Sequence, residues 1–182
     1  MDKKIYIITD IHMRHKMLSD IGERPEGFTE KIIENWNTII TNNDTIINLG
    51  DVVFGMDKEP YLTEVMSKLN GKCKVLILGN HDTFPYSFYY RSGFDLVCKQ
   101  MVIDNILLSH EPIDKLKWPD GVTVSIFGHY HGNEHRIADY PFDTGLPDYN
   151  HLALERTDLK PVLLEEFAGI SLDRKRNKYF KK

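Results

Sequence analysis

The sequence predicts an α/β domain, because short apolar runs typical of buried strands alternate with segments of helical periodicity. The first run, residues 5–8, has no polar interruption, as a strand buried on both faces requires. Apolar residues then recur at helical spacing over residues 32–40. A third observation is that five of the predicted strands end in a polar cluster, and ligands of α/β proteins gather outside the carboxyl ends of strands.

The first half of the chain alternates strand and helix. Thr29 is the predicted N-cap of the first helix, and a second strand is expected over residues 45–49. Pro60 is predicted to open the second helix. A third strand over residues 75–78 completes a strand-helix-strand-helix-strand order.

The second half is predicted to consist mostly of strands. Residues 101–103 and 106–108 flank an Asp-Asn pair and predict a tight hairpin. Residues 122–127 and 150–155 are predicted as two further strands, and residues 161–167 as a short helix.

Composition bounds the function classes. The chain has 182 residues, 41% of them hydrophobic and 27% charged, which fits one ordinary domain. We expect a single domain over residues 1–172 and a basic C-terminal tail over residues 173–182. The tail carries six basic residues and one acidic residue, so the net charge of −4 leaves −9 for residues 1–172. An acidic body argues against a broad phosphate-tracking nucleic-acid surface.

Cysteine usage and hydropathy indicate a cytoplasmic protein. Cys73 and Cys98 belong to no CxxC pair and are expected to be reduced thiols. The first apolar run is too short for a signal peptide, and no later run could span a bilayer. A domain of this length needs no metal merely to fold, so a metal site would serve function.

Five predicted strands end in residues that can bind metal. In chain order these clusters contain Asp10 and His12; Asp51; Asn80, His81 and Asp82; His110; and His129 and His131. Carboxylate, imidazole and amide oxygen suit Mn²⁺, Zn²⁺ or Fe. Because alternate side chains of an extended segment point the same way, each pair two residues apart is expected to present both donors to one cavity.

Each residue also has a plain structural alternative when it is considered alone. Asp10 or Asp51 could be a turn residue, and His110 or His129 could be a hydrogen-bonded core histidine. Together, these alternatives must explain five strand ends at once, which favours a shared site.

The motif series D-x-H, G-D, G-N-H-D, H and G-H-x-H, running from Asp10 to His131, resembles the calcineurin-like metallophosphoesterase superfamily. The lack of a large insertion is similar to its compact stand-alone bacterial and phage members. This resemblance implies a four-layer αββα sandwich, in which two mixed β-sheets pack face to face and are flanked by helices.

The resemblance also implies roles for the site residues. It assigns Asp10, His12 and His131 to one metal ion, Asn80, His110 and His129 to a second, and Asp51 to both. It makes His81 the catalytic residue that protonates the leaving oxygen or stabilises phosphoryl charge. The implied cofactors are two divalent ions, with Mn²⁺ favoured over Zn²⁺, Fe, Ni²⁺ or Mg²⁺.

The function so implied is that of a dinuclear metal-dependent phosphoric ester hydrolase. A metal-bridging hydroxide would attack a phosphomonoester or a phosphodiester, so both phosphatase and phosphodiesterase activity are open. The expected partner is a small phosphoester, with no membrane and with nucleic acid not favoured; substrate, native metal and oligomeric state stay open. Two alternatives are a non-catalytic metal-binding scaffold for protein partners and a nuclease supported by the basic tail.

Several residues near the motifs have two possible interpretations from the sequence. Asp82 could orient His81 or bond the local backbone. Arg14 and His15 could reach a phosphate or lie on the surface. The aromatic residues 86–90 are expected to pack rather than stack on substrate, and His135 and His151 are expected at the surface or in packing.

Overall fold

Two β-sheets and five α-helices make up the part of the chain that the computed structural model describes, namely residues 3–55, 58–133 and 140–169. The strands are β1 (Ile5–Ile8), β2 (Thr45–Asn48), β3 (Cys73–Ile77), β4 (Leu96–Cys98), β5 (Gln100–Ile103), β6 (Ile106–Ser109), β7 (Val124–Phe127), β8 (Tyr149–His151) and β9 (Val162–Leu163). The helices are α1 (Met17–Asp20), α2 (Phe28–Ile39), α3 (Lys58–Lys68), α4 (Tyr86–Arg91) and α5 (Leu164–Phe167).

Both sheets are mixed, as predicted. The first has the order β4-β3-β2-β1-β9, in which β1 to β4 pair in parallel and β9 runs antiparallel to β1. The second has the order β5-β6-β7-β8, with an antiparallel β5-β6 hairpin and parallel pairs beyond it. The predicted α/β architecture of two mixed sheets with flanking helices is therefore confirmed.

One apolar core lies between the sheets and a second lies under the helices. Alternate residues of the first sheet, such as Ile7 and Ile47, pack with Leu108 and Ile126 of the second sheet. The other face of the first sheet is covered by α2, α3 and α4, with Trp36 fully buried among them. The outer face of the second sheet carries a third cluster, formed by the aromatic residues Phe127, Tyr130 and Tyr149 with Trp118, Tyr140 and Phe142.

The predicted cap of the first long helix is wrong. Helix α2 begins after Gly27, which has φ of +73° and no side chain to cap with. Thr29 lies inside the first turn, and its Oγ1 accepts a hydrogen bond from the backbone N–H of Arg14 at 3.2 Å. The threonine therefore anchors the loop that leaves the β1 end, a long-range contact that local spacing does not reveal.

The last two predicted elements also differ from the structure. Residues 150–155 were expected as one strand, but β8 ends at His151 and Leu154–Arg156 forms a 3-10 turn. Residues 161–167 were expected as a helix, but β9 precedes α5 and adds an antiparallel edge to β1. Such short segments carry too few residues for a periodicity to separate strand from helix.

Three further expectations concern parts of the chain away from the site. Cys73 and Cys98 are both free and half-buried. None of the helices in the described ranges is long and apolar enough to cross a membrane. The basic tail and His135 lie outside the described residues.

Candidate metal centre

The carboxyl ends of β1, β2 and β3 lie at one edge of the first sheet, because these strands are parallel. Beyond the strands the chain segments stay in register: the N–H of Asp10 donates to Gly50 O and the N–H of His12 donates to Asp51 O, both at 2.9 Å. The parallel ends of β6 and β7 reach the same place from the second sheet, since the N–H of His129 donates to Asp10 Oδ2 at 2.9 Å. Both sheets therefore contribute to one polar site.

An unusual backbone conformation marks most of the predicted ligands. Five of the seven have positive φ: Asp10 (48°), His12 (47°), Asp51 (56°), His129 (75°) and His131 (52°). Left-handed conformations are uncommon outside glycine and are concentrated at functional sites, where the fold maintains the strain. These residues are not extended. The expectation that each pair, 10 with 12 and 129 with 131, faces one cavity through strand alternation is therefore wrong, although both pairs do reach the site.

Asp10, His12 and His131 form one group of potential ligands, with one donor atom from each residue lying within 4.8 Å of the others. Asp10 Oδ1 is 4.0 Å from His12 Nε2 and 3.8 Å from His131 Nε2. The two imidazole rings stack with centroids 4.9 Å apart. The structure thus brings together the three residues that the resemblance assigned to one ion.

Asn80, His110 and His129 form a second group of potential ligands, which converges on His110 Nε2. Asn80 Oδ1 lies 2.9 Å from it and His129 Nδ1 lies 3.1 Å from it. His110 is buried, whereas Asn80 is exposed at the mouth of the site. The second set of assigned residues is therefore also brought together.

Asp51 lies between the two groups. Its Oδ2 is 3.5 Å from His12 Nε2 and 3.4 Å from His110 Nε2. Its Oδ1 accepts a hydrogen bond from the N–H of His81 at 2.8 Å. One carboxylate oxygen thus faces both groups, as a bridging ligand would.

The donor set fits divalent metal ions. The Nδ1–H of His110 donates to the carbonyl oxygen of Leu49 at 2.8 Å, so in the neutral ring Nε2 carries a lone pair. That lone pair faces the oxygens of Asn80 and Asp51, which are also acceptors. Asp10 Oδ1 and His12 Nδ1 are buried with no hydrogen-bond partner among the described residues. Converging lone pairs and an unpaired buried carboxylate oxygen are what a cation would satisfy.

Two glycines leave room for the carboxylates. A Cβ on Gly79 would lie 2.2 Å from Asp51 Oδ1, and a Cβ on Gly128 would lie 1.9 Å from Thr9 Oγ1 and 2.5 Å from Asp10 Oδ2. Both glycines belong to the motifs G-N-H-D and G-H-x-H and directly precede a predicted ligand. Glycine is needed at both positions because the backbone passes close to the two carboxylates.

Burial shapes the protonation of the site. Burial raises the pKa of Asp51 to about 6, and the neighbouring charge of Asp10 acts in the same direction. Burial also lowers the pKa of His12 far below its ordinary value, and His131 acts in the same direction. His12 is therefore held neutral, which is the form in which imidazole binds a metal.

Asp82 bonds the backbone rather than His81. Its Oδ2 accepts from the N–H of Asp51 at 2.7 Å and of Gly79 at 2.9 Å, and its Oδ1 accepts from the N–H of Val52 at 3.2 Å. The carboxylate is buried and ties the loop after β2 to the loop after β3. The contacts of Asp82 therefore support the prediction that it bonds the local backbone rather than the prediction that it orients His81.

His81 and two other rings line the open side of the site. The exposed His81 ring lies 5.5 Å from the ring of His12 and 6.4 Å from that of Phe54. Phe54 is 37% exposed and stacks on His15 at 3.8 Å. Arg14 turns to the ring of Tyr61, 4.6 Å from its guanidinium carbon. Of the two loop residues, His15 therefore lies nearer the predicted metal ligands.

The aromatic residues that follow the GNHD motif divide between core and surface. Phe88 and Tyr89 are buried in the core under the helices, as expected for packing. Tyr86 and Tyr90 are exposed. His151 packs against Phe127 with ring centroids 5.3 Å apart.

Sequence reasoning missed Arg24 and Glu155. Glu155 lies on the 3-10 turn after β8, and Arg24 lies on the loop after α1. Glu155 Oε1 is 3.3 Å from His131 Nδ1 and 2.7 Å from Arg24 Nη2. Although burial alone would raise it, the contacts with His131 and Arg24 hold the pKa of Glu155 at about 2. Neither residue belongs to a recognisable motif, so no local signal could have found the pair.

Comparison with known proteins identifies relatives over most of the chain. The family model for calcineurin-like phosphoesterases matches residues 3–168. An uncharacterized protein of Methanocaldococcus jannaschii is 30% identical over 169 residues, which cover 90% of this chain and 88% of that protein.

Two solved structures have a similar fold. A protein of unknown function from Aquifex aeolicus superposes with a TM-score of 0.69 at 24% identity, over 92% of this chain and 99% of that chain. The nuclease MPE of Pseudomonas putida superposes with a TM-score of 0.50 at 21% identity, over 70% of this chain and 61% of that chain. At these identities the likeness concerns the fold.

Proposed function

Because the chain belongs to the calcineurin-like phosphoesterase family, we propose that it is a dinuclear metal-dependent enzyme that hydrolyses small phosphomonoesters or phosphodiesters. The observation that carries this proposal is the convergence of unshared lone pairs from Asp10, Asp51, His12 and His110 in a buried site. A scaffold that only bound protein would not need these atoms to face one another.

The two ligand groups suggest how the ions would be held. Asp10, His12 and His131 would hold one ion, and Asn80, His110 and His129 would hold the other, with Asp51 facing both. Nitrogen and oxygen donors of this kind favour Mn²⁺, and they also accept Zn²⁺, Fe, Ni²⁺ or Mg²⁺. When bound, such ions supply an activated water as nucleophile and positive charge for the phosphoryl oxygens.

The charge of the site suits a phosphate. Asp10 and Asp51 are the two carboxylates among the proposed ligands, while Asn80 contributes an oxygen without a charge. The nearby carboxylate of Glu155 is compensated by Arg24 at 2.7 Å. Two divalent ions would therefore leave this site positive within a body of charge −9, which attracts a small phosphate and disfavours a long polyanion.

His81 is the proposed proton donor to the leaving oxygen. Its ring is exposed at the mouth of the site, and its backbone is fixed by the hydrogen bond from its N–H to Asp51 Oδ1. Because that bond uses the main chain, the ring stays available to the substrate. A positioned histidine of this kind is suited to general acid catalysis.

Metal add-back to the stripped protein tests the proposal. Mn²⁺, Zn²⁺, Ni²⁺ and Mg²⁺ would be added separately, and hydrolysis of p-nitrophenyl phosphate would be compared with that of bis(p-nitrophenyl) phosphate. We expect hydrolysis only with added ion and two ions bound per chain. Two bound ions without hydrolysis of any phosphoester would favour the scaffold alternative, and hydrolysis of DNA in preference to both small substrates would favour a nuclease.

A further inference from the structure

A buried arginine contacts the backbone next to His12 and the side chain of His131, two members of the first ligand group. The side chain of Arg24 is fully buried and donates from Nη1 to the carbonyl oxygen of Ile11 at 2.9 Å. Ile11 is the residue between Asp10 and His12, and its carbonyl group belongs to the peptide that leads into His12, so this bond fixes the backbone at that proposed ligand. From Nε and Nη2 the same guanidinium contacts Glu155 Oε1 at 2.8 and 2.7 Å.

Glu155 in turn fixes the third member. The Nδ1 of His131 lies 3.3 Å from Glu155 Oε1 and 3.5 Å from Arg24 Nη2. The closer neighbour is a charged acceptor, so Nδ1–H donates to Glu155 and Nε2 keeps its lone pair. That Nε2 is the atom that faces Asp10 Oδ1 at 3.8 Å.

The ion pair is suited to orienting a ligand without becoming one. Glu155 presents a fixed acceptor to His131, and Arg24 neutralises it, so the pair adds no net charge to the site. A carboxylate that accepts the second ring N–H of a metal-binding histidine fixes the ring and raises its basicity. Because desolvation of the two charges offsets much of their attraction, a buried ion pair need not stabilise the fold. Its contacts with His131 and Ile11 favour a positioning role instead.

We propose that the Arg24–Glu155 ion pair is a positioning device that sets the metal affinity of the Asp10–His12–His131 group. This inference rests on the proposed metal-dependent function. Arg24 and Glu155 do not touch substrate; they act through the backbone at Ile11 and through the ring of His131.

The test is a metal titration of the stripped full chain rather than an activity assay. Zn²⁺ affinities would be measured against a competing chelator, and Co²⁺ absorption would report the ligand geometry. We expect Glu155→Gln to weaken one of the two ions by about 10- to 100-fold and to change its Co²⁺ spectrum. The other ion should keep its affinity within about twofold.

Two controls separate this role from a general structural one. Glu59→Gln makes the same chemical change in an exposed ion pair with Arg91, at 2.8 Å, and should leave both affinities unchanged. In a His131→Ala background, Glu155→Gln should cause no further loss, because the ring through which it acts is gone. A full additional loss in that background would overturn the proposal.

The conservative variant Arg24→Lys keeps the charge but cannot contact Glu155 and Ile11 together, so it should weaken the same ion. Circular dichroism of the metal-free variants checks their folding. If neither Glu155→Gln nor Arg24→Lys folds, the pair is structural and the proposal is wrong. If the parent binds two ions and both variants match it, this inference fails while the proposed function stands; if the parent binds none, the proposed function itself fails.

Discussion

The main-chain N–H of Asp51 donates to Asp82 Oδ2 at 2.7 Å, so one acid holds the backbone of another at the centre of the site. Asp82 also accepts from Gly79 and Val52 with its two oxygens. Its role is therefore to join the loops that carry Asp51 and Asn80.

Asp82→Asn should destabilise the metal-free protein by about 1–3 kcal/mol, because the amide group of asparagine would replace one acceptor with a donor facing a backbone N–H. Urea unfolding measures this loss. Asp95→Asn is the matched control, since Asp95 is an exposed carboxylate that accepts one backbone bond, from Lys74 at 2.8 Å. Equal unfolding midpoints for Asp82→Asn and the parent would contradict the assignment.

His81→Ala should keep both metal ions and lose turnover by about 10²- to 10⁴-fold, the usual contribution of a positioned general acid. Metal content by elemental analysis and kcat on an aryl phosphomonoester separate the two effects. Because the ring makes no contact that holds Asp51, the loss should fall on kcat more than on metal binding. Turnover equal to that of the parent would show that His81 is not the acid.

Gly128→Ala should abolish metal uptake at the group containing Asp10. The added Cβ would lie 1.9 Å from Thr9 Oγ1 and 2.5 Å from Asp10 Oδ2, so the carboxylate must move. Gly132→Ala is the control on the same loop, because its Cβ would meet Glu155 at an ordinary 3.5 Å. We expect normal stoichiometry for the control, and a normal value for Gly128→Ala would refute the close-approach argument.

Asp44 should make stability depend on pH away from the site. Burial alone would raise the pKa of its carboxyl, but hydrogen bonds from Thr41 and Lys4 hold that pKa below its usual value of 3.8. Its contribution is then present above pH 3.8 and is lost as pH falls through the lower folded-state pKa. The difference in unfolding free energy between the parent and Asp44→Asn should be about 1–3 kcal/mol near neutral pH and should vanish in acid. A difference that stays constant on acidification would contradict this.

Phe54→Ala should weaken the binding of aryl phosphoesters more than that of alkyl phosphoesters. Phe54 stacks on His15 beside His81, and a further aromatic contact is worth about 0.5–1.5 kcal/mol, or roughly 2- to 10-fold in KM. Phe84→Ala is a control of similar exposure whose ring stacks on Phe88 instead. Equal changes in KM for both substrate types would show that Phe54 does not contact the aryl group of the substrate.

The convergence of the seven candidate ligands and His81 could be predicted from the sequence, because each follows an apolar strand. Parallel strands bring their carboxyl ends to one edge, so Asp10, Asp51 and Asn80 were expected to meet. Apolar runs predicted the individual buried strands, whereas the two-sheet arrangement was implied by the family resemblance. The left-handed conformation of His12 and His131 was not foreseen, because φ at these residues is imposed by tertiary contacts.

Arg24, Glu155 and Thr29 could not have been predicted for a similar reason. Arg24 and Glu155 are 131 positions apart, and Thr29 bonds a loop residue 15 positions away. A charged or hydroxyl side chain within a polar segment is usually solvated, so nothing local marked these three as buried.

Each ligand group takes members from both sheets: Asp10 and His12 meet His131, and Asn80 meets His110 and His129. Ions held by these groups would act as cross-links between the two halves of the sandwich. Chelation should then increase hydrogen exchange at the carboxyl ends of β1 and β7 together. A core substitution that shifts one sheet should change the affinity for both ions. The edge that carries the proposed metal site would thus also be the place where the two sheets are joined.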